Sequence, residues 1–348
     1  MSKPTILVCG ALGQIGRVLL ADLTARYGPE TVLATDLPFE AADLPCRYYS
    51  LDATDAGAWA DLSARGYAFE RVYHLVAVLS AKGEASPWHS WDVNMDSWRN
   101  VVEAARHWPG CRVFFPSSIA AYGPPLPAVV DETQVLRPST SYGISKVAGE
   151  LWAGYATAKF GVDVRCLRLP GVIGHETMPG GGTTDYAVEI FHYAARGERF
   201  RCFLRPDTRL PMIYMDDLVR GIEELMAAPI GVFDGTPSVV DPGGTAAPAD
   251  RVYNLAGFSV TPAELAAAIR ARLPGFEIEY APDHRQAIAA GWPAALDGSR
   301  AREVWGWEPR YDAAATVEAM LAALAGRQAS TTIAPALDAG PKATGGRV

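Results

Sequence analysis

Up to about residue 170 the chain alternates short, β-branched apolar runs with longer stretches in which apolar residues recur at helical spacing. The runs fall at 5–9, 31–35, 46–51, 71–75, 112–116 and 163–169, and the stretches between them include 13–27, 90–108 and 142–160. The runs are short and mostly apolar, as strands of a sheet covered by helices require. The pattern therefore predicts a parallel sheet with helical crossovers, a doubly wound α/β fold. Pro138-Ser139-Thr140 provide a cap and start signal for the helix at 142–160.

After Leu169 the texture changes. Pro170, Gly171, Gly174, Pro179, Gly180, Gly181 and Gly182 crowd together, which suggests loops over a site rather than more core. A helix is expected at 186–196, and residues 212–226 and 252–256 are expected as a helix and a strand returning to the first lobe. From 258 to about 324 the pattern predicts a small α+β lobe. It opens with Thr261-Pro262-Ala263-Glu264, which reads as cap, proline and capping-box acid. Residues 229–250, rich in Gly, Pro and Ala, and the tail at 325–348 are expected to lack regular structure.

Length and composition narrow the chemistry. The 348 residues suit about two lobes. The net charge of −8 is scattered, with no basic stripe for nucleic acid or an anionic membrane, and no apolar run is long enough to span a bilayer. A cytosolic protein is expected. The five cysteines (Cys9, Cys46, Cys111, Cys166, Cys202) show no Cys-x-x-Cys or zinc spacing and suit small buried hydrophobes. The six histidines form no ligand pair, so a metal site is not expected.

The first sharp motif is Gly10-Ala11-Leu12-Gly13-Gln14-Ile15-Gly16, placed between the first strand and the first helix. Glycines there allow a tight turn and close approach of backbone to a pyrophosphate, whose charge the helix N-terminus stabilises. The second strand then ends on Asp36, twenty residues beyond Gly16, where a carboxylate grips the adenosine ribose hydroxyls. That carboxylate would repel a 2′-phosphate and has no Arg or Lys immediately beside it, so NAD is expected rather than NADP. Asp52, after the third strand, is a candidate for the adenine amine. The organisation that follows is a Rossmann domain from 1–170 and 212–257, interleaved with a smaller substrate domain from 171–211 and 258–324.

The second constellation is Tyr142-Gly143-Ile144-Ser145-Lys146, with the phenol and amine on one helical face. A phenol of reference pKa about 10 is a poor base at neutral pH, and a nearby ammonium favours its ionised form. Upstream, Phe115-Pro116-Ser117-Ser118 ends the fifth strand, on the side of such a sheet where ligands bind.

In their order, these motifs resemble the extended short-chain dehydrogenase/reductases. That resemblance implies a catalytic trio of Ser118, Tyr142 and Lys146, with Ser118 preferred over Ser117 because it stands four before Tyr122-Gly123. It further implies cofactor contacts at Gly10, Gly13, Gln14, Ile15, Gly16, Asp36, Asp52, Leu75, Ala77, Asn94, Tyr142 and Lys146. Several strings look like one branch, the short-chain-type L-threonine 3-dehydrogenases. They are the stretch from His74 to Glu84, Trp91-Asp92-Val93-Asn94-Met95, the stretch from Pro179 to Ala187, Asp207-Thr208-Arg209-Leu210-Pro211-Met212, and Trp292-Pro293 before Leu296-Asp297. The most specific is Gly180-Gly181-Gly182-Thr183-Thr184-Asp185-Tyr186-Ala187. Gly174-His175 departs from the branch, which often carries a tryptophan there.

The branch implies oxidation of the β-hydroxyl of L-threonine. A pocket for the zwitterion would include Ser80, Ser118, Tyr142, Thr184 and Trp292, with Asp185 as ammonium partner and Arg209 facing either a substrate carboxylate or a surface acid. A homodimer through the helices at 90–108 and 142–160 is expected, although Trp91, Trp98, Trp108 and Trp152 suit a core equally well. Three alternatives share parts of the pattern: a dehydrogenase for another β-hydroxy-α-amino acid such as phenylserine, a sugar-nucleotide epimerase or dehydratase, and a regulator that binds NAD without turnover.

Overall fold

The structure is a computed structural model that describes residues 3–38, 44–233 and 251–332. In chain order the elements are β1 (Ile6–Cys9), α1 (Gln14–Tyr27), β2 (Val32–Asp36), β3 (Arg47–Ser50), α2 (Ala56–Ala64), β4 (Arg71–His74), α3 (Ser80–Ala85), α4 (Pro87–Ala105), β5 (Arg112–Ser118), α5 (Ser141–Phe160), β6 (Asp163–Leu169), β7 (Gly171–Ile173), α6 (Tyr186–Ala195), β8 (Phe200–Cys202), β9 (Leu210–Tyr214), α7 (Met215–Ala227), β10 (Val252–Asn254), β11 (Phe258–Val260), α8 (Pro262–Arg272), β12 (Ile278–Tyr280), α9 (Arg285–Ala289), α10 (Ser299–Trp305) and α11 (Ala313–Thr332).

Seven strands form a parallel sheet in the order β10-β6-β5-β4-β1-β2-β3. From β1 the chain winds outward to β2 and β3, then crosses back to β4 on the other side, so the β1/β4 junction is the topological switch point. The apolar runs are apolar because both faces of the sheet are covered. Leu19, Leu20 and Leu23 of α1 pack with Ile222, Leu225 and Met226 of α7 on one face. Trp59 of α2, Trp98 and Val101 of α4 and Ala153 of α5 pack on the other.

The second lobe has its own core, in which Ile190 and Phe191 of α6 meet Leu265 and Ile269 of α8 and Met320 of α11. Its sheets are small: β11-β9-β7 and β12-β8. The Thr261 hydroxyl accepts from the Glu264 amide at 3.1 Å while the Glu264 carboxylate accepts from the Thr261 amide at 2.9 Å, the reciprocal capping box expected there.

Three expectations are corrected. Residues 212–226 are not one helix: Met212–Tyr214 belong to β9, which β7 and β11 pair on its two sides, and α7 starts only at Met215, where Asp216 and Asp217 occupy its first turn. β9 begins at Leu210 and so straddles the boundary expected between 211 and 212. α11 runs on to Thr332 rather than giving way to a tail at 325. Within 229–250 the described part is a single turn, Ile230–Phe233, whose Phe233 is buried near Tyr253. Residues 234–250 and 333–348 lie outside the described residues. No described helix is long and apolar enough to cross a membrane.

Candidate active site

A cleft of about 570 Å³ opens at the switch point and runs between the two lobes. Its first wall is the glycine turn. Gly16 is required by close approach, because a Cβ there would stand 2.3 Å from the carbonyl oxygen of Gly10. The Asp36 carboxylate braces the turn, accepting from the backbone amides of Leu12 at 2.9 Å and Leu37 at 2.8 Å. Gln14, on the cleft wall, carries a buried Nε2 with no hydrogen-bond partner, and such a donor suits an anionic ligand on the turn. The residues present therefore fit a dinucleotide. Gly10, Gly13, Ile15, Leu75 and Ala77 share this wall.

Two expected cofactor residues are turned to other work. Asp52 closes its own turn by accepting from the Thr54 amide at 2.9 Å and hydroxyl at 2.7 Å. Asn94, on α4, accepts from the Val78 amide at 2.7 Å and donates to the Ser145 hydroxyl at 3.1 Å, so its carboxamide ties the loop after β4 to α5.

At the cleft floor the strand end and the helix start meet. The extended Ser118 at the end of β5 accepts from the Ala120 amide at 3.1 Å, and its hydroxyl also bonds the Tyr142 phenol. Tyr142 lies in the first turn of α5, which Thr140 caps through the Gly143 amide. Lys146 follows one turn later, fully interior, with Nζ 4.9 Å from the centre of the Phe115 ring and 5.2 Å from that of Tyr142. Phe115 can hold that position because residue 149 is glycine: a Cβ there would meet the ring at 2.1 Å.

The acidification of the phenol expected from its spacing to the amine is opposed by burial. Burial pushes Tyr142 up to about 12, and the opposing influence is the Ser118 hydrogen bond rather than the lysine. Burial drives Lys146 itself down to about 7, against a partly offsetting pull from Cys166 and Glu150. His74, stacked on Trp98 and Phe115 behind the lysine, is pushed down to about 3 by burial and then by Lys146, and stays neutral.

A stability consequence follows. Between pH 7 and the ordinary lysine value of 10.5 the unfolded chain holds a proton that folded Lys146 has released, so this group makes stability rise with pH across that window. At and below pH 7 its burial is a cost. Lys146→Met is therefore expected to melt several degrees above the parent at pH 6, with the gap closing toward pH 10. Equal gaps at both pH values in thermal denaturation would contradict this.

Sequence reasoning missed what lies under the trio. Arg168 of β6 donates to both carboxylate oxygens of Glu150, at 2.9 and 2.7 Å, with both side chains almost wholly buried. Ser117 donates to the same carboxylate, and Arg168 reaches on to the Tyr122 hydroxyl and the Glu132 carbonyl, each at 3.0 Å. The signals were present: Glu150 repeats the four-residue spacing of Tyr142 and Lys146, and an arginine between leucines in a central strand needs a buried partner.

On the opposite wall, the Ser80 and Thr183 hydroxyls share a hydrogen bond of 3.0 Å, and Thr184 and Trp292 line the cleft beside them. Asp185 also lines it, and one of its carboxylate oxygens accepts from the Gly181 and Gly182 amides at 2.8 and 2.6 Å, which fixes the carboxylate at the glycine loop. Burial raises its pKa. Arg209 is resolved as a surface residue, salt-bridged to Glu264. Among the described residues no acid, histidine or cysteine cluster could hold a metal.

A glycine turn at the switch point of a parallel sheet, above a serine, tyrosine and lysine on one floor, defines a class of enzymes that use a nicotinamide dinucleotide. The chain belongs to the NAD dependent epimerase/dehydratase family, whose model matches residues 6–235. It is 39% identical, over 93% of its own length and 98% of the relative's, to an uncharacterised epimerase/dehydratase of Staphylococcus saprophyticus. Among solved structures it is similar to the holo form of a GalE-like L-threonine dehydrogenase from Cupriavidus necator, at 47% identity and TM-score 0.84, covering 92% of this chain and all of that one. A monomeric L-threonine 3-dehydrogenase of metagenomic origin is 38% identical at TM-score 0.84, covering 92% and 99%.

Proposed function

We propose that the protein oxidises the β-hydroxyl of L-threonine to 2-amino-3-ketobutyrate, which can then lose carbon dioxide to give aminoacetone. The observation that carries this reading is one cleft in which Ser118, Tyr142 and Lys146 face a small polar loop, Gly180 to Asp185. The kinship with threonine dehydrogenases along nearly the whole chain supports it. NAD, when bound, would supply the acceptor for the hydride that leaves Cβ with the two electrons of the C–H bond. Tyr142 takes the hydroxyl proton, while Ser118 orients the hydroxyl and steadies charge developing on its oxygen. Lys146 holds the nicotinamide ribose and supplies positive charge below the tyrosine ring.

The wall disfavours a sugar nucleotide. A diphosphate needs several cations, yet among the described residues the cleft is lined by two, Lys82 and Lys146, while Arg205, Arg209 and Arg285 of the second lobe lie outside its lining and are engaged by Asp207, Glu264 and Asp283. Asp36 supports NAD over NADP through repulsion of a 2′-phosphate. The decisive assay follows the absorbance of reduced nicotinamide with NAD or NADP against L-threonine, phenylserine and UDP-sugars. L-threonine with NAD is expected to give the highest kcat/KM, and silence with every β-hydroxy amino acid would discard the proposal.

A homodimer is proposed through α4 and α5. Trp98 and Trp108 are core residues, but Trp88, Ile144, Leu151, Trp152 and Tyr155 leave an exposed apolar face across these two packed helices. Sedimentation of the protein at twice the chain mass is the expected result, and a monomer at micromolar concentration would remove this face as the interface. None of the five cysteines is in a disulfide, which suits the reducing cytosol expected from the sequence.

A further inference from the structure

An amino-acid substrate brings a carboxylate into the cleft, and a carboxylate in a confined site needs a cation or several donors. Among the described residues three charged side chains line the cleft: Lys146, Asp185 and Lys82. Lys146 is committed to the floor, against the rings of Phe115 and Tyr142. Arg205, Arg209 and Arg285 of the second lobe lie outside the lining and are held by Asp207, Glu264 and Asp283. Lys82 remains.

We propose that Lys82, on α3, is the residue that recognises the substrate carboxylate, an assignment that rests on the amino-acid dehydrogenase reading above. Its stem is guided. Gly181, at φ +102°, leaves room that a Cβ would take from the Lys82 methylenes, at 2.7 Å from Cε and 2.9 Å from Cγ. The exposed lysine thus runs along the glycine loop that forms the cleft's second wall.

Its root is fixed as well. At one end of α3, Ser80 bonds Thr183 of that loop. At the other, the Glu84 carboxylate accepts from the Ser141 amide at 2.8 Å, where α5 begins one residue before Tyr142. α3 is thereby tied both to the substrate loop and to the helix that carries the proposed base, so Lys82 keeps its register with the reacting hydroxyl.

Lys82 also acts electrostatically on Asp185, whose carboxylate folds back onto the same loop. The cleft therefore offers a cation and an anion on neighbouring elements, an arrangement that matches a zwitterion and leaves a neutral alcohol without a handle. Lys82 takes the carboxylate and Asp185 the ammonium.

The test compares Lys82→Gln and Lys82→Arg with the parent enzyme. The ligands are L-threonine and L-threoninamide, which keeps the hydroxyl and amine but lacks the negative charge; the amide is read as substrate or competitive inhibitor. Lys82→Gln is expected to raise KM for L-threonine about tenfold or more, with the loss in KM rather than kcat, because one charge-assisted contact is removed. The constant for L-threoninamide and the KM for NAD should not move, and Lys82→Arg should recover most of the loss. An equal shift for both ligands, no shift for either, or a shift confined to NAD would overturn the assignment, the last by placing the lysine on the cofactor's pyrophosphate. A parent enzyme silent with L-threonine would instead overturn the functional reading on which the assignment rests.

Discussion

Tyr142→Phe is expected to lower kcat for L-threonine oxidation by about a thousandfold while leaving NAD bound nearly as tightly as before. The ring itself is structural, since it carries the Lys146 ammonium over one face, and phenylalanine preserves that contact. What disappears is the oxygen that Ser118 holds by hydrogen bond, the atom proposed to receive the proton. No neighbour can replace it. His74 is buried against Phe115 and neutral, and Lys146 is the residue proposed to hold the nicotinamide ribose. Stopped kinetic assays for turnover and fluorescence titration for NADH binding separate the two effects. A variant with more than a tenth of the parent kcat would remove tyrosine from the role of base.

Arg168→Met is expected to destabilise the fold by about 3–5 kcal/mol, the cost of leaving a buried carboxylate without its partner. Glu150 would keep the Ser117 hydroxyl but lose two charge-assisted bonds at a site with almost no access to water. Glu132 and Asn254 would loosen too, because Arg168 links the Glu132 carbonyl to Tyr122, which in turn donates to Asn254 at 2.7 Å. The double variant Arg168→Met with Glu150→Gln should recover much of the loss, since no charge is then stranded. Urea denaturation reads both. A single variant unfolding at the parent's midpoint, or a double variant no better than the single, would contradict the buried pair's role.

The parts of the molecule legible in the sequence are those written locally. Strands β1, β2, β4, β5 and β6 are buried on both faces, so each needs a nearly unbroken apolar run, and α1, α4 and α5 carry their faces at helical spacing. Gly10 to Gly16 and Tyr142 with Lys146 are each held within one turn, which is why their positions were readable. What was not legible depends on contacts between distant segments. Met212–Tyr214 read as helix because the apolar run before α7 shows no period of its own; it becomes a strand through pairing with residues 171–173 and 258–260. The three-residue strands of the second lobe are made the same way. Glu150 and Arg168 lie eighteen residues apart on different elements, and only the folded sheet brings them together. The burial that opposes ionisation of Tyr142 was not legible for a related reason: spacing places a lysine on the same helical face but does not reveal how completely the surrounding walls exclude water.

The central claim is that the hydride leaves Cβ of an amino acid as Tyr142 takes the adjoining proton. L-threonine carrying deuterium at Cβ, incubated with NAD and the purified protein, tests it most directly by mass spectrometry of the reduced cofactor. Deuterium in the nicotinamide, with aminoacetone accumulating in equal amount, is the predicted result. Unlabelled cofactor, or no reduction with L-threonine while a UDP-sugar is converted in the same preparation, would contradict it.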